Sequence, residues 1–237
     1  MEVEPSRGVA CEPCACHVCR AAALEEISAF SELGRVASDC RPWPAGGRLA
    51  ICGRCGTVQK RVDSVWREET ARLYAKYRIF HQSGGADQAI FDPATGAAAP
   101  RSAHVLRRLL EEYSLPDEGR LLDVGCGAGT LLRAFSGLRP RWRMVGCEQD
   151  ETNAEAIRAI PGVEAFHTEA PGRSPGRFDL VTLSHVLEHV EDPRTFLAGL
   201  APGLGRDGLL LVQVPSYRAN PVDLLIADHC THFDEGT

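Results

Sequence analysis

The stretch Leu121-Leu-Asp-Val-Gly-Cys-Gly-Ala-Gly-Thr130 decides the fold of this 237-residue chain. A short apolar run ends in an acid, and three glycines follow at alternate positions before a helix-like segment. A second short run, Arg143-Met-Val-Gly-Cys147, leads into Glu148-Gln149-Asp150. Strand, tight loop, helix and strand in this order build a nucleoside pocket at the carboxyl ends of the first two strands of a doubly wound α/β sheet. Glycines let the backbone turn sharply and approach a ligand closely. Glu148 stands 19 residues after Gly129, where a carboxylate takes both hydroxyls of a ribose.

Spacing selects the nucleoside. A dinucleotide site calls for G-x-G-x-x-G, with a pyrophosphate on the helix N-terminus. Here Gly125, Gly127 and Gly129 read G-x-G-x-G, with Cys126 inside the loop and Asp123 on the strand before it. A nicotinamide-type Rossmann domain and a glycine turn without ligand are the competing readings.

Outward from this loop, residues 119–237 alternate short apolar runs with amphipathic segments, the pattern of βαβ units. Strands are expected over 120–124, 143–147, 163–167, 179–184 and 208–214. Helices are expected over 129–136 and 151–159, after Asp192-Pro193, where proline suits a first helical turn, and near Pro221. Residues 61–118 read as helical and polar, broken at Gly84-Gly85 and over 92–100. Within them Val105-Leu106 and Leu109-Leu110 are spaced for a helix packing on the sheet. Tyr74, Tyr77, His81 and Gln82, beside the glycine pair, suit a lid closing over a pocket. A linker helix with both tyrosines on one face is an equal reading.

Residues 1–60 hold seven of the ten cysteines. Cys16-His-Val-Cys19 and Cys52-Gly-Arg-Cys55 are two C-x-x-C knuckles separated by 32 residues. Two such turns offer four sulfurs to one tetrahedral zinc, and a closed four-sulfur site has no open position for chemistry. Cys11 and Cys14 are alternate ligands, while unliganded thiols and a redox pair are the lesser readings. Cys40 receives no role.

Composition bounds the partners. Apolar residues make up 44% of the chain, enough for a core, and the formal charge of −6 opposes general affinity for nucleic acid or anionic membrane. Met1-Glu-Val-Glu-Pro5 is no leader of basic then apolar residues, and no apolar run reaches membrane-spanning length. The expectation is a cytoplasmic protein, its cysteines serving as metal ligands and free thiols.

The second informative stretch is Phe178-Asp-Leu-Val-Thr-Leu-Ser-His-Val-Leu-Glu-His-Val-Glu-Asp-Pro193. His185-x-x-Glu188-His189 matches the pattern of an inverted zinc peptidase, but that motif belongs on a helix and here it follows a strand. Either His189 or His185 suits a general base. Equally, these residues hold the loop by hydrogen bonds. A divalent ion on Glu188 and His189 is a further reading. Thr168 and Glu169, after the third strand, and Gln149, after the ribose acid, stand where an adenine would lie.

The glycine loop with Asp123 and Glu148 resembles motif I of the class I S-adenosylmethionine-dependent methyltransferases. The strand-four stretch resembles their "FDLV…LEHV.DP" segment. The resemblance implies a Rossmann-like class I sheet with a small N-terminal zinc-ribbon-like domain. It implies S-adenosylmethionine held by Asp123, Gly125, Cys126, Gly127 and Gly129 at its methionine end and by Glu148 at its ribose. Gln149 and Glu169 would line the adenine, and Ser184 would stand beside the methionine part. Zinc knuckles, helical segment and cofactor domain in this order resemble the zinc-binding sugar methyltransferases. Their enolate-forming histidine falls on His189, which implies a sugar, nucleotide-linked or free, as acceptor. That family has two further strands for which this chain carries no sequence, so the fifth strand is expected to expose an edge, truncated or covered by a partner chain. The alternative function is a non-catalytic zinc-containing scaffold.

Overall fold

The computed structural model describes residues 15–77, 87–91, 95–169 and 177–237. It begins with a cysteine-rich module of short strands, β1 (Leu24–Glu26), β2 (Arg35–Val36), β3 (Pro42–Trp43), β4 (Leu49–Cys52) and β5 (Val58–Lys60). Helix α1 (Ser64–Tyr74) follows, capped by Asp63, which accepts from the Trp66 N–H. A two-stranded ribbon, β6 (Ala89–Phe91) and β7 (Ala98–Pro100), leads into α2 (Arg101–Glu112). Then come β8 (Arg120–Val124), α3 (Thr130–Leu138), β9 (Arg143–Cys147), α4 (Ala154–Arg158), β10 (Val163–His167), β11 (Phe178–Ser184), α5 (Pro193–Leu200) and β12 (Leu204–Gln213). The last strand is β13 (Thr231–His232).

Five strands make one parallel sheet in the order β10-β9-β8-β11-β12. Successive strands step outward on one side and then, after β10, on the other. The direction reverses between β8 and β11, and in such sheets ligands bind outside the carboxyl ends at this switch point. Alternate residues feed opposite faces. Leu121 and Leu180 join Leu106, Leu132, Phe135, Trp142 and Ile157 on the α2–α3–α4 side. Leu122, Val124, Val181 and Leu183 join Leu200 on the α5 side. Burial on both faces is what a parallel sheet requires, and it explains the near-continuous apolar runs.

The central strands fall where their periodicity placed them, and β12 begins earlier than residue 208. Its first half is masked in the sequence by Gly203, Gly205, Arg206, Asp207 and Gly208. The register shifts here, Phe178 facing Leu204 and Leu180 facing Leu209. A Cβ on Gly208 would lie 2.8 Å from the Phe178 carbonyl oxygen, so the bulge needs glycine. β12 is the outer strand of this sheet, as expected.

Two segments differ from the sequence reading. Between α1 and α2 the chain forms the β6–β7 ribbon: Pro100 disfavours helical backbone at Ala99, and Ala98 pairs with Phe91, despite alanine's helix propensity. The end of the chain leaves the parallel sheet altogether. A 3₁₀ turn over Pro221–Leu225 precedes β13, which pairs antiparallel with β5. The module's sheet therefore runs β1-β4-β5-β13. A two-residue strand leaves no periodic trace, so its pairing was invisible to pattern. The connecting stretch is tied to both halves. Ala227 N–H donates to Val36 O at 2.8 Å, Cys230 N–H to Glu188 O at 2.8 Å, and Lys60 N–H to Cys230 O at 2.9 Å.

Cys11, Cys14, His81, Gln82 and Gly84-Gly85 lie outside the described residues. Among the described residues no helix is long and apolar enough to cross a membrane.

Candidate active site

The cleft at the switch point is built from the β8 loop, the end of β9 and the segment after β11. Gly125 sits at φ 70°, and a Cβ there would meet Val186 Cγ2 at 2.3 Å, so no side chain fits. Its N–H and that of Cys126 both donate to Cys147 O, at 2.8 and 3.0 Å. This folds the loop over the end of β9. The Cys126 side chain is buried in the core, so only its backbone faces the loop. Gly129, at φ 76°, starts α3, and a Cβ there would lie 2.9 Å from Ile160 Cδ1. It permits close packing of the helix start.

Asp123 is 2% exposed, and Thr182 Oγ1 donates to its Oδ1 at 2.6 Å. Its Oδ2 has no partner among the described residues. Burial pushes this carboxyl up to about 7, with Glu148 adding to the rise and the Thr182 bond opposing it. A buried carboxylate with one idle oxygen is completed by a cationic donor, and an ammonium group meets that need.

This has a pH consequence. A carboxyl raised above its unfolded value, 3.8, contributes stability that is fully present below that pH and lost as pH rises through about 7. The protein is therefore expected to lose thermal stability through Asp123 between about pH 4 and pH 7. Asp123→Asn should remove that component from melting curves recorded across the window, and parallel curves for the two proteins would contradict it.

Glu148 closes the other side. Gly127 N–H donates to its Oε2 at 3.0 Å and Gln149 N–H to its Oε1 at 2.8 Å. The Glu148 backbone N–H donates to His167 O at 3.0 Å. The carboxylate is thus fixed at the mouth of the glycine loop. The side chains of Gln149 and Glu169 are exposed at the ends of β9 and β10. Thr168, beside Glu169, is exposed too.

After β11 the backbone turns abruptly. Ser184 Oγ donates to Gln213 Oε1 at 3.0 Å, and His185 N–H donates to Gln213 O at 2.8 Å. His185 itself is held at φ 57°, a costly region for a residue with a Cβ. Its Nδ1 lies 3.2 Å from Glu188 Oε1, while His185 Nε2 and Glu188 Oε2 are buried without partners among the described residues. Burial pushes the Glu188 carboxyl up, but the His185 bond and the nearby His189 and His229 outweigh it and hold it below its usual range.

His189 Nδ1 is 3.2 Å from Asp228 O, 3.2 Å from Tyr74 Oη and 3.4 Å from Asp228 Oδ2. A carbonyl oxygen only accepts, so Nδ1 carries the proton and Nε2 keeps its lone pair. Burial, with His229 next, lowers the pKa of this ring below the ordinary histidine value. The ring is then neutral near pH 7. Tyr74 packs edge-on with Tyr77, ring centroids 5.5 Å apart, so the tyrosine pair both packs and reaches the site.

Sequence reasoning named His185, Glu188 and His189 and missed their neighbours. Asp223, Asp228, His229 and His232 arrive from the last turn and β13, all at most 5% exposed. The only sequence signal for them is Asp228-His-Cys-Thr-His232, two histidines and an acid within five residues.

The cysteine module braces this region. Cys16 and Cys55 sulfurs are 3.5 Å apart and Cys19 and Cys52 sulfurs 3.6 Å. All four lie within 4.8 Å of one another. Sulfurs at the corners of a tetrahedron around zinc are about 3.8 Å apart, so the donor set fits the ion. In the first knuckle the Cys19 N–H donates to Cys16 Sγ, and Arg20 takes φ 64° to complete the turn. His17, inside that knuckle, holds Thr231 Oγ1 at 2.7 Å through Nδ1. Arg20 pairs with Asp192 and Arg194 donates to Val18 O at 3.1 Å.

Comparison with known proteins bears on this site. Residues 98–236, more than half of the chain, match a family described as a methyltransferase domain. Over 101 residues the chain is 34% identical to a ubiquinone biosynthesis O-methyltransferase of Rhodopseudomonas palustris (strain BisA53), covering 39% of this chain and 38% of that protein. Over 132 residues it is 27% identical to a trans-aconitate 2-methyltransferase of Azoarcus sp. (strain BH72), covering 55% and 52%. The chain thus spans about half or less of the length of these relatives. Among solved structures it resembles an amino pentose methyltransferase from Micromonospora echinaspora with S-adenosylmethionine bound, at 26% identity and TM-score 0.41, covering 49% of this chain and 51% of that one.

Proposed function

The chain belongs to the methyltransferase-domain family, and from that premise we propose that it transfers a methyl group from S-adenosylmethionine to an oxygen or acidic carbon of a small molecule. The observation that carries this reading is the pairing of Asp123 and Glu148 across the glycine loop, one with an idle buried oxygen and one fixed at the loop's mouth. S-adenosylmethionine, when bound, supplies an electrophilic methyl on a sulfonium. Asp123 would take its ammonium end, Glu148 the two ribose hydroxyls, and Gln149 and Glu169 the rim around adenine. Ser184 stands at the end of β11, beside the place for the methionine part.

On the acceptor side His189 is the base. Its Nε2 accepts the proton of a hydroxyl, or of a carbon next to a carbonyl, while the Nδ1–H stays on Asp228 O. The resulting imidazolium is stabilised by Glu188 and Asp228. Positioning and exclusion of water supply the rest of the rate enhancement. Relatives named for ubiquinone biosynthesis and trans-aconitate illustrate the range of acceptors in the family. The carboxylates of Glu188 and Asp228 around His189 favour a neutral, hydroxyl-bearing acceptor over a polyanion. A sugar, free or nucleotide-linked, is the acceptor class put forward. The four cysteines hold a structural zinc.

The test is transfer of labelled methyl from S-adenosylmethionine to keto sugars, nucleotide-linked sugars, catechols and tricarboxylates. His189→Ala is expected to slow transfer by about 10²–10⁴-fold, with cofactor affinity unchanged. Unchanged turnover removes the base role. Cofactor binding without transfer to any acceptor favours the scaffold alternative.

A further inference from the structure

We propose that Asp223 is a positioning residue for the acceptor side: it fixes the proton of His229 on Nδ1, and His229 in turn holds the His189 ring. The significance of His189 rests on the methyltransferase reading, but the geometry does not.

Asp223 is 1% exposed. Its Oδ1 lies 2.7 Å from His229 Nδ1, and its Oδ2 lies 2.7 Å from His232 Nδ1. An ionised carboxylate only accepts, so both imidazoles carry the proton on Nδ1 and keep the Nε2 lone pair. His232 is wholly buried on β13, in register with Val58 of the module sheet. It acts as a fixed post. Asp223, gripping that post with one oxygen, has only one freedom left, to orient His229 with the other.

His229 then meets His189 edge-on, ring centroids 4.6 Å apart and planes at 89°. Glu188, His189 and His229 bring one polar atom each within 4.8 Å of one another. The ordered line is therefore Asp223, His229, His189, from the interior to the ring that is partly exposed. Burying a carboxylate is costly, and a turn needs no such group. Two imidazole N–H donors offset the cost, and they need both oxygens, which asparagine cannot supply.

The charged and titratable groups around the line include Glu188, Asp228, Lys60, His17 and Tyr74, whose Oη lies 3.2 Å from His189 Nδ1. None competes for an Asp223 oxygen among the described hydrogen bonds.

The test is long-range ¹⁵N NMR of the histidine rings in the full, zinc-loaded chain, with diethyl pyrocarbonate as the chemical probe of a free Nε2 on His189. In the unaltered protein His229 is expected as a single Nδ1–H tautomer. Asp223→Asn is expected to abolish that single state, to shift the His189 ring signals and to change the rate at which His189 is modified. Affinity for S-adenosylhomocysteine should stay the same. If Asp223→Asn lowers only the melting temperature, with the His229 tautomer and His189 reactivity intact, Asp223 is merely structural and the proposal fails. Should that variant not fold, His229→Phe keeps the edge-on packing without the Nδ1–H. It should alter His189 modification, and no alteration overturns the proposal. Loss of S-adenosylhomocysteine binding by the unaltered protein would sink the methyltransferase reading and leave this result standing.

Discussion

Glu148→Ala is expected to weaken S-adenosylmethionine binding by about 10²–10⁴-fold in calorimetry, with the fold intact. Two hydrogen bonds from ribose hydroxyls to a carboxylate are charge-assisted, and each contributes about 1.5–3 kcal/mol. Their sum, about 3–6 kcal/mol, converts to that factor. The side chain is half-buried and outside both hydrophobic clusters. Removal leaves the Gly127 N–H without its 3.0 Å partner, a local loss at the solvent edge. Glu148→Asp, one methylene shorter, should fall between the two. Equal binding by the alanine variant would place the ribose elsewhere.

The second large effect concerns the cysteine centre. Cys52→Ser, or prolonged treatment with a strong chelator, is expected to release one equivalent of zinc and unfold the module. The module's own core is small, with Phe30, Leu49 and Val58 as its buried cluster. Structural zinc contributes about 10–16 kcal/mol of apparent binding energy to small domains, far more than such a core supplies. The loss should spread along the chain. β13 is a strand of the module sheet, and His17 holds Thr231. Amide exchange should therefore lose protection at β4, β5 and β13 while β8 and β9 keep theirs. Absence of zinc in the purified protein, with unchanged melting after the substitution, would contradict the account.

This coupling gives the cysteine module a physical task. A zinc on these four cysteines, as proposed, would do no chemistry, since four sulfurs would close its coordination. The module anchors the short strand that carries His232, and with it the turn carrying Asp223, Asp228 and His229. The proposed acceptor side is thus assembled from two separate segments, the loop after β11 supplying His185, Glu188 and His189 and the final turn supplying their supports.

What the sequence made legible follows from range. The strands over 120–124, 143–147 and 163–167 coincide with β8, β9 and β10, because apolar period and flanking glycines are local signals. The glycine loop, Asp123 and Glu148 were legible for the same reason: their geometry is fixed within one βαβ unit. Cys126 and Gly129 belong to that loop by position, but the cysteine side chain fills the core and the glycine serves helix packing. The first half of β12 was hidden by a glycine-rich bulge. The supports of His189 were not legible because they are long-range. His189 and Asp228 are 39 residues apart, and His17 and Thr231 are 214 apart. Pattern within a window does not carry such pairings.

The most direct measurement is a structure of the zinc-loaded chain with S-adenosylhomocysteine. The ligand is expected in the cleft at the ends of β8 and β9, with both ribose hydroxyls on the Glu148 carboxylate and its amino group on the Asp123 side of the glycine loop. A ligand bound elsewhere, or Glu148 still turned onto Gly127 with no ribose against it, would contradict that reading.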